Sequence, residues 1–260
     1  MKLGFSNIGW PSEADEAMYR ELAARGFKGL EIAPTRFVGE EPYKKPGEAR
    51  DKARRLKEEY GLEVCSMQSI WFKRTERICA SKSERASLIE YTKKAVYFAL
   101  AAGCKNLVFG CPKNRSIEKE GDEELLFGFF KTVCSYAAEN GVKIALEANP
   151  PIYNTNFLND TPSACAFARK LGAGTSVNLD FGTIIENGED IETLRNETEL
   201  FSHVHISEPS LAPIERRDGH RALAALLKET GYSSFVSIEM RERPLSEALA
   251  AADYLAEVFA

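Results

Sequence analysis

Histidine is scarce in this chain, with three residues in 260. That count excludes a centre built from many imidazoles and makes the position of each one informative. Basic residues are not in excess either: 34 Lys and Arg stand against 39 Asp and Glu, a formal net charge of −5. Nucleic-acid binding depends on cations facing phosphate, so this balance gives no reason to expect a nucleic-acid partner. The six cysteines (Cys65, Cys79, Cys104, Cys111, Cys134 and Cys165) include no CxxC pair, which removes a thiolate zinc motif and a disulfide framework from consideration. Most lie in apolar runs, where a free thiol behaves as a small hydrophobe, so reduced cysteines in a cytoplasmic protein are expected. No apolar run approaches the roughly 20 residues of a membrane helix. The opening Met1-Lys2-Leu3-Gly4-Phe5-Ser6 runs into a strand-like segment without the charged leader of a signal peptide. Linker-like and low-complexity stretches are also missing, so one domain over residues 1–260 is expected.

What the chain does contain is an alternation of strand and helix patterns, eight times over. The strand candidates are short apolar runs at 3–6, 29–33, 63–68, 106–110, 143–147, 176–180, 201–206 and 235–239. Several are nearly continuously apolar, as expected where both faces of a parallel strand are covered. Helical stretches lie between them. Ser12 with Asp15 has the form of a capping box, and Gly26 follows the first helix. Leu88, Tyr91, Ala95, Phe98 and Ala102 share a face of the longest helix. Thr161-Pro162 reads as an N-cap before an N1 proline. Ala248, Ala252, Leu255 and Phe259 form the inner stripe of the last helix. Strict βα alternation implies a parallel sheet, and eight units favour a single (β/α)8 TIM barrel over an open, doubly wound sheet.

In such a barrel the functional groups gather where strands end. The fifth run closes on Glu147, the sixth on Asp180, the seventh contains His203 and His205, and the eighth closes on Glu239. Any one of these acids could be a solvated strand end. Three carboxylates buried together would be costly without a cation, and one imidazole with oxygen donors suits a single divalent ion: Mn, Co, Zn or Mg. His203 and His205, two apart, share a strand face; His205 is nearer the C-terminal mouth and is the expected ligand, with His203 packing or hydrogen-bonding beside it. Glu31, inside the second run, must also find a partner or face the mouth.

This pattern, with Gly231-Tyr232 before the last strand, resembles the xylose-isomerase-like TIM barrels, which include sugar and sugar-phosphate isomerases and epimerases and, more distantly, AP endonucleases. The resemblance implies metal ligation by Glu147, Asp180, His205 and Glu239. It also implies that Glu147 and Glu239 serve as catalytic acid and base, moving a proton next to a carbonyl of a small-molecule substrate. Two positions depart from the family's ketose epimerases: Thr183 stands where they carry a histidine and Leu211 where they carry an arginine. A dehydratase of the inosose-dehydratase kind begins with the same proton abstraction and is the alternative chemistry; a non-catalytic ligand-binding barrel is the alternative role. The endonucleases' trinuclear zinc cluster needs five histidines, and despite the echo in Asp218-Gly219-His220 three are too few. Gln68, Trp71, Lys113, Arg115 and His220 are the candidate substrate-binding residues, the two cations as holders of a phosphate or carboxylate. Barrels of this kind are often homo-oligomers, although no apolar stripe in the sequence selects a state.

Overall fold

The computed structural model describes residues 1–260. Its eight strands are β1 (Lys2–Ser6), β2 (Gly29–Ile32), β3 (Glu63–Met67), β4 (Asn106–Phe109), β5 (Lys143–Glu147), β6 (Thr175–Asp180), β7 (Phe201–Ile206) and β8 (Phe235–Ile238). They pair in chain order, all parallel, and β8 closes on β1 to complete the (β/α)8 barrel. The helices around it are α1 (Asp15–Ala24), α2 (Pro34–Val38), α3 (Pro46–Tyr60), α4 (Lys82–Ala101), α5 (Asp122–Glu139), α6 (Thr161–Leu171), α7 (Phe181–Asn187), α8 (Asp218–Glu229) and α9 (Leu245–Phe259). The expected stripes face inward: Leu88, Ala95, Phe98 and Ala102 are buried, with Tyr91 at the edge, and so are Ala248, Ala252, Leu255 and Phe259.

Two helix starts differ from expectation. Ser12 does not cap α1, because a 3-10 turn (Ser12–Ala14) intervenes. Asp15 instead accepts from Trp10 Nε1 at 2.9 Å and pairs with Arg36. At α6 the cap is Asp160, one residue earlier than Thr161. Its carboxylate takes the Ser163 N–H at 2.7 Å in a capping box, and a charged acceptor there also suits the helix dipole.

Large apolar side chains fill the layer between strands and helices, while the barrel interior holds polar ones, small at the serines and larger at Glu31, His203 and His205. Ser176 meets Ser202 at 2.7 Å, Ser202 donates to Asn106 Oδ1 at 2.6 Å, and Asn106 donates to Ser66 at 3.0 Å. The Ser202–Asn106 bond joins β7 to β4, strands that are not neighbours, so it crosses the barrel. Register irregularities fall at Leu30/Glu31 between β2 and β3 and at Val177/Asn178 between β6 and β7. Such irregularities re-aim side chains near functional sites, and both lie directly below the cluster described next.

A candidate metal centre at the barrel mouth

Strand alternation sends every second residue into the barrel. Glu147 ends β5, Asp180 ends β6, His205 is the penultimate residue of β7, and Glu239 follows β8. The structure brings all four together: each offers one ligand atom, and these atoms lie within 4.8 Å of one another. His205 Nδ1 is 3.2 Å from Glu239 Oε2 and 4.0 Å from Glu147 Oε2. All four are buried or nearly so. Burial pushes Glu147 well above the usual carboxylate range, and repulsion from Glu239 and Asp180 adds to it. Glu239 is raised as well, chiefly by burial, with His205 partly offsetting the shift. Desolvation would lower His205, but Glu31 and Glu239 outweigh it and hold the ring well above the ordinary histidine value.

Neutral donors hold Asp180 in place. One oxygen takes the Thr183 N–H at 2.8 Å and lies 3.0 Å from the Thr183 hydroxyl, whose one proton it shares with the Ala148 carbonyl; the other accepts from Ser207 Oγ. Ser207 in turn receives the Gly182 N–H at 2.9 Å, and a Cβ on Gly182 would sit 2.9 Å from that hydroxyl, so a glycine leaves the needed room. Thr183, in place of a histidine, is thus spent on Asp180 and on the Ala148 carbonyl, 2.9 Å away.

A cavity of about 190 Å³ opens above the cluster. Gln68, Asn149, Tyr153, Glu147, Asp180 and Glu239 give it polar walls, and Val108, Cys111, Pro112 and Leu211 give it apolar ones. No Lys or Arg lines it. Tyr153 Oη accepts the Ser210 N–H at 2.8 Å, joining the loops after β5 and β7. Ser210 and Leu211 both have left-handed backbones (φ 59° and 55°).

Among the expected substrate-binding residues, Gln68 lines this cavity and donates to Ser6 Oγ at 3.2 Å. The other four do not. Trp71 is packed into the helix layer against Phe109 and Phe129, its indole N–H bound to Thr92 at 3.0 Å. An aromatic cluster offers that ring more apolar contact than the mouth does. His220 lies buried between Phe181 and Tyr254, with Nδ1 3.0 Å from the tyrosine hydroxyl. Arg115 turns inward beneath the loop: Nη2 donates to the Glu147 carbonyl and to Asn149 Oδ1, each at 2.9 Å. Lys113, on the same short turn, points to solvent. Neither cation therefore reaches a ligand in the cavity.

Sequence reading missed Asn149, Tyr153, Asn178 and Ser207. Three of them carried a usable signal, lying two residues from Glu147, Asp180 and His205 and so on the same strand face. Tyr153 sits in an irregular loop and carried none.

Three carboxylates and an imidazole with no cationic side chain lining the cavity form a donor set that fits one divalent ion. The sequence profile of the xylose isomerase-like TIM barrel family matches residues 19–258, and the chain belongs to that family. No curated protein matches it. Among solved structures it is similar to D-psicose 3-epimerase from Clostridium cellulolyticum H10 in complex with D-tagatose (18% identity, TM-score 0.79, covering 100% of this chain and 99% of that one). It is also similar to a Brucella melitensis protein described as an AP endonuclease of family 2 (19%, 0.76, 99% and 99%). A third is the IOLI protein with a bound zinc atom (18%, 0.77, 100% and 98%). At these identities the likeness is one of fold.

Proposed function

We propose that the protein is a metal-dependent isomerase or epimerase of a small, uncharged sugar or related polyhydroxylated carbonyl compound. The observation that carries this reading is the convergence of Glu147, Asp180, His205 and Glu239 beneath a cavity of about 190 Å³ lined by no Lys or Arg. A phosphorylated substrate would bring at least one more negative charge to walls that already hold three carboxylates, with no Arg or Lys to receive it. A hexose-like molecule meets hydroxyl partners in Gln68, Asn149 and Tyr153 and apolar surface in Val108 and Leu211. Epimerase relatives of the same fold agree with this class of substrate, and a zinc-holding one agrees with the donor set. With three histidines in all, and only His205 in the cluster of Glu147, Asp180 and Glu239, DNA repair by a histidine-rich metal cluster has no support.

Glu147, Asp180, His205 and Glu239 would hold the ion. When bound, it would polarise a carbonyl and make the neighbouring C–H more acidic. The chain's own residues do the rest. Glu147 and Glu239 come from β5 and β8, on opposite sides of the β6–β7 pair. From those positions one carboxylate would take a carbon-bound proton while its partner delivers one. Asp180 is held in place between them by Thr183 and Ser207.

The test is metal content followed by exchange of substrate α-hydrogen with deuterated water, over ketoses, inososes and the corresponding phosphates. Turnover of an uncharged sugar is expected, and Glu147→Gln and Glu239→Gln should each reduce exchange by about 10²–10⁴-fold. Undiminished exchange in both variants would sink the acid and base roles. Product mass separates isomerisation, which leaves it unchanged, from the dehydratase reaction, which loses water.

A further inference from the structure

We propose that Glu31 is the positioning residue that makes His205 a ligand: its carboxylate takes the Nε2–H of His205 and so leaves the Nδ1 lone pair aimed at Glu147, Asp180 and Glu239. This rests on the metal reading above and extends it to two buried residues, Glu31 and His203, which that reading leaves without a role.

Glu31 lies on β2 and His205 on β7, strands that are not neighbours in the barrel. Even so, Glu31 Oε1 is 2.9 Å from His205 Nε2, a bond made across the barrel interior with both side chains fully buried. An ionised carboxylate only accepts, so the nitrogen facing it must carry the proton. On the other side of the same ring, the Asn178 side-chain amide lies 3.1 Å from His205 Nδ1. The Glu31 contact is therefore what specifies the tautomer. With Nε2–H committed to Glu31, Nδ1 faces Glu239 at 3.2 Å and Glu147 at 4.0 Å, a gap that either a second proton or a bound cation fills.

The backbone is adjusted for this contact. The β2–β3 register breaks between Leu30 and Glu31, and the β6–β7 register breaks between Val177 and Asn178. Glu31 and Asn178, which flank the His205 ring, thus each follow an irregularity. The second histidine fits the same scheme. His203 sits one inward position lower on β7, with Nε2 3.6 Å from Glu31 Oε1, so the carboxylate is bracketed by two imidazoles. A fully buried carboxylate with no such task would be replaced by an apolar side chain at little or no loss of stability.

The experiment compares the full-length wild type with Glu31→Gln and Glu31→Asp. Affinity for Zn²⁺ alone is measured by competition with a chromophoric chelator, and ¹⁵N-histidine NMR of the zinc-loaded proteins reports which nitrogen of His205 is protonated. Glu31→Gln keeps the shape and removes the charge. It should bind zinc ten- to a hundredfold more weakly, as outer partners of metal-bound histidines generally do, and its Nε2–H should exchange faster with solvent. Glu31→Asp should be intermediate. Equal zinc affinity with an unchanged His205 spectrum in Glu31→Gln would overturn the proposal and leave the metal reading standing, as would a wild type whose His205 binds through Nε2. A wild type that binds neither Zn²⁺ nor Mn²⁺ would overturn both. Should Glu31→Gln fail to fold, Glu31→Asp carries the same two readouts, and the same equalities count against the proposal.

Discussion

His220 shows how one buried side chain can tie the fold to pH without taking part in the site. Burial, with Arg217 nearby, lowers its pKa to about 4, whereas in an unfolded chain it titrates near 6.5. Between those values the unfolded chain binds a proton that the folded chain does not, so stability falls as pH is lowered through this window. Below about pH 4 the loss from this residue is complete; above about 6.5 its contribution is fully present. Replacing His220 with phenylalanine should flatten part of the slope, read as midpoint of thermal unfolding against pH from 7 to 4. An unchanged slope would mean that His220 titrates normally in the fold. His203, lowered to about 3 by burial, contributes in the same direction. Residues of this kind were only half legible in the sequence. That His205 rather than His203 faces the carboxylates followed from distance along the strand, while the burial of His220 behind Phe181 depends on a packing choice that no local pattern encodes.

At the level of elements, the loop after β4 is organised by a cation that the sequence suggested for ligand binding. Arg115 is fully buried, and its pKa is drawn down to about 10 by burial. It stays charged at neutral pH and holds the Glu147 carbonyl and Asn149. Arg115→Met should cost about 2–4 kcal/mol by leaving those acceptors unpaired, seen as a lower denaturant midpoint; an unchanged midpoint would show that water replaces the guanidinium without penalty. The strands were readable because each is a short apolar run ending in polar residues, and observed limits differ from the expected ones by about a residue. Caps were less readable. Asp160 and Thr161 are both good cap residues in sequence, and the choice between them follows from the capping box closed by Ser163. Loop side chains were least readable. Trp71 and Lys113 could each face the cavity, the core or solvent, and the aromatic cluster around Phe109 and Phe129 decides the first of these.

For the molecule as a whole, closure of β8 on β1 is what gathers four distant segments at one mouth. It was anticipated from the count of eight βα units, because no other feature of the sequence reports closure. A cation held by residues of β5, β6, β7 and the end of β8 binds only when the barrel is closed, so it should stabilise the whole fold. At a hundred times its dissociation constant the gain is about 2.7 kcal/mol, or roughly 5–10 °C in Tm for a chain of this size. Calorimetry with Mn²⁺ or Zn²⁺ and with a chelator checks this, and a Tm indifferent to both would count against ligation at the mouth. The join between Tyr153 and Ser210 has a consequence of another sort. Ser210 and Leu211 hold adjoining left-handed torsions, each costing about 1 kcal/mol or more for a residue with a side chain. The contact therefore helps to hold a turn that side-chain-bearing residues disfavour. Its loss, as in Tyr153→Phe, should let the turn relax toward ordinary torsions, seen as faster amide exchange at Ser210.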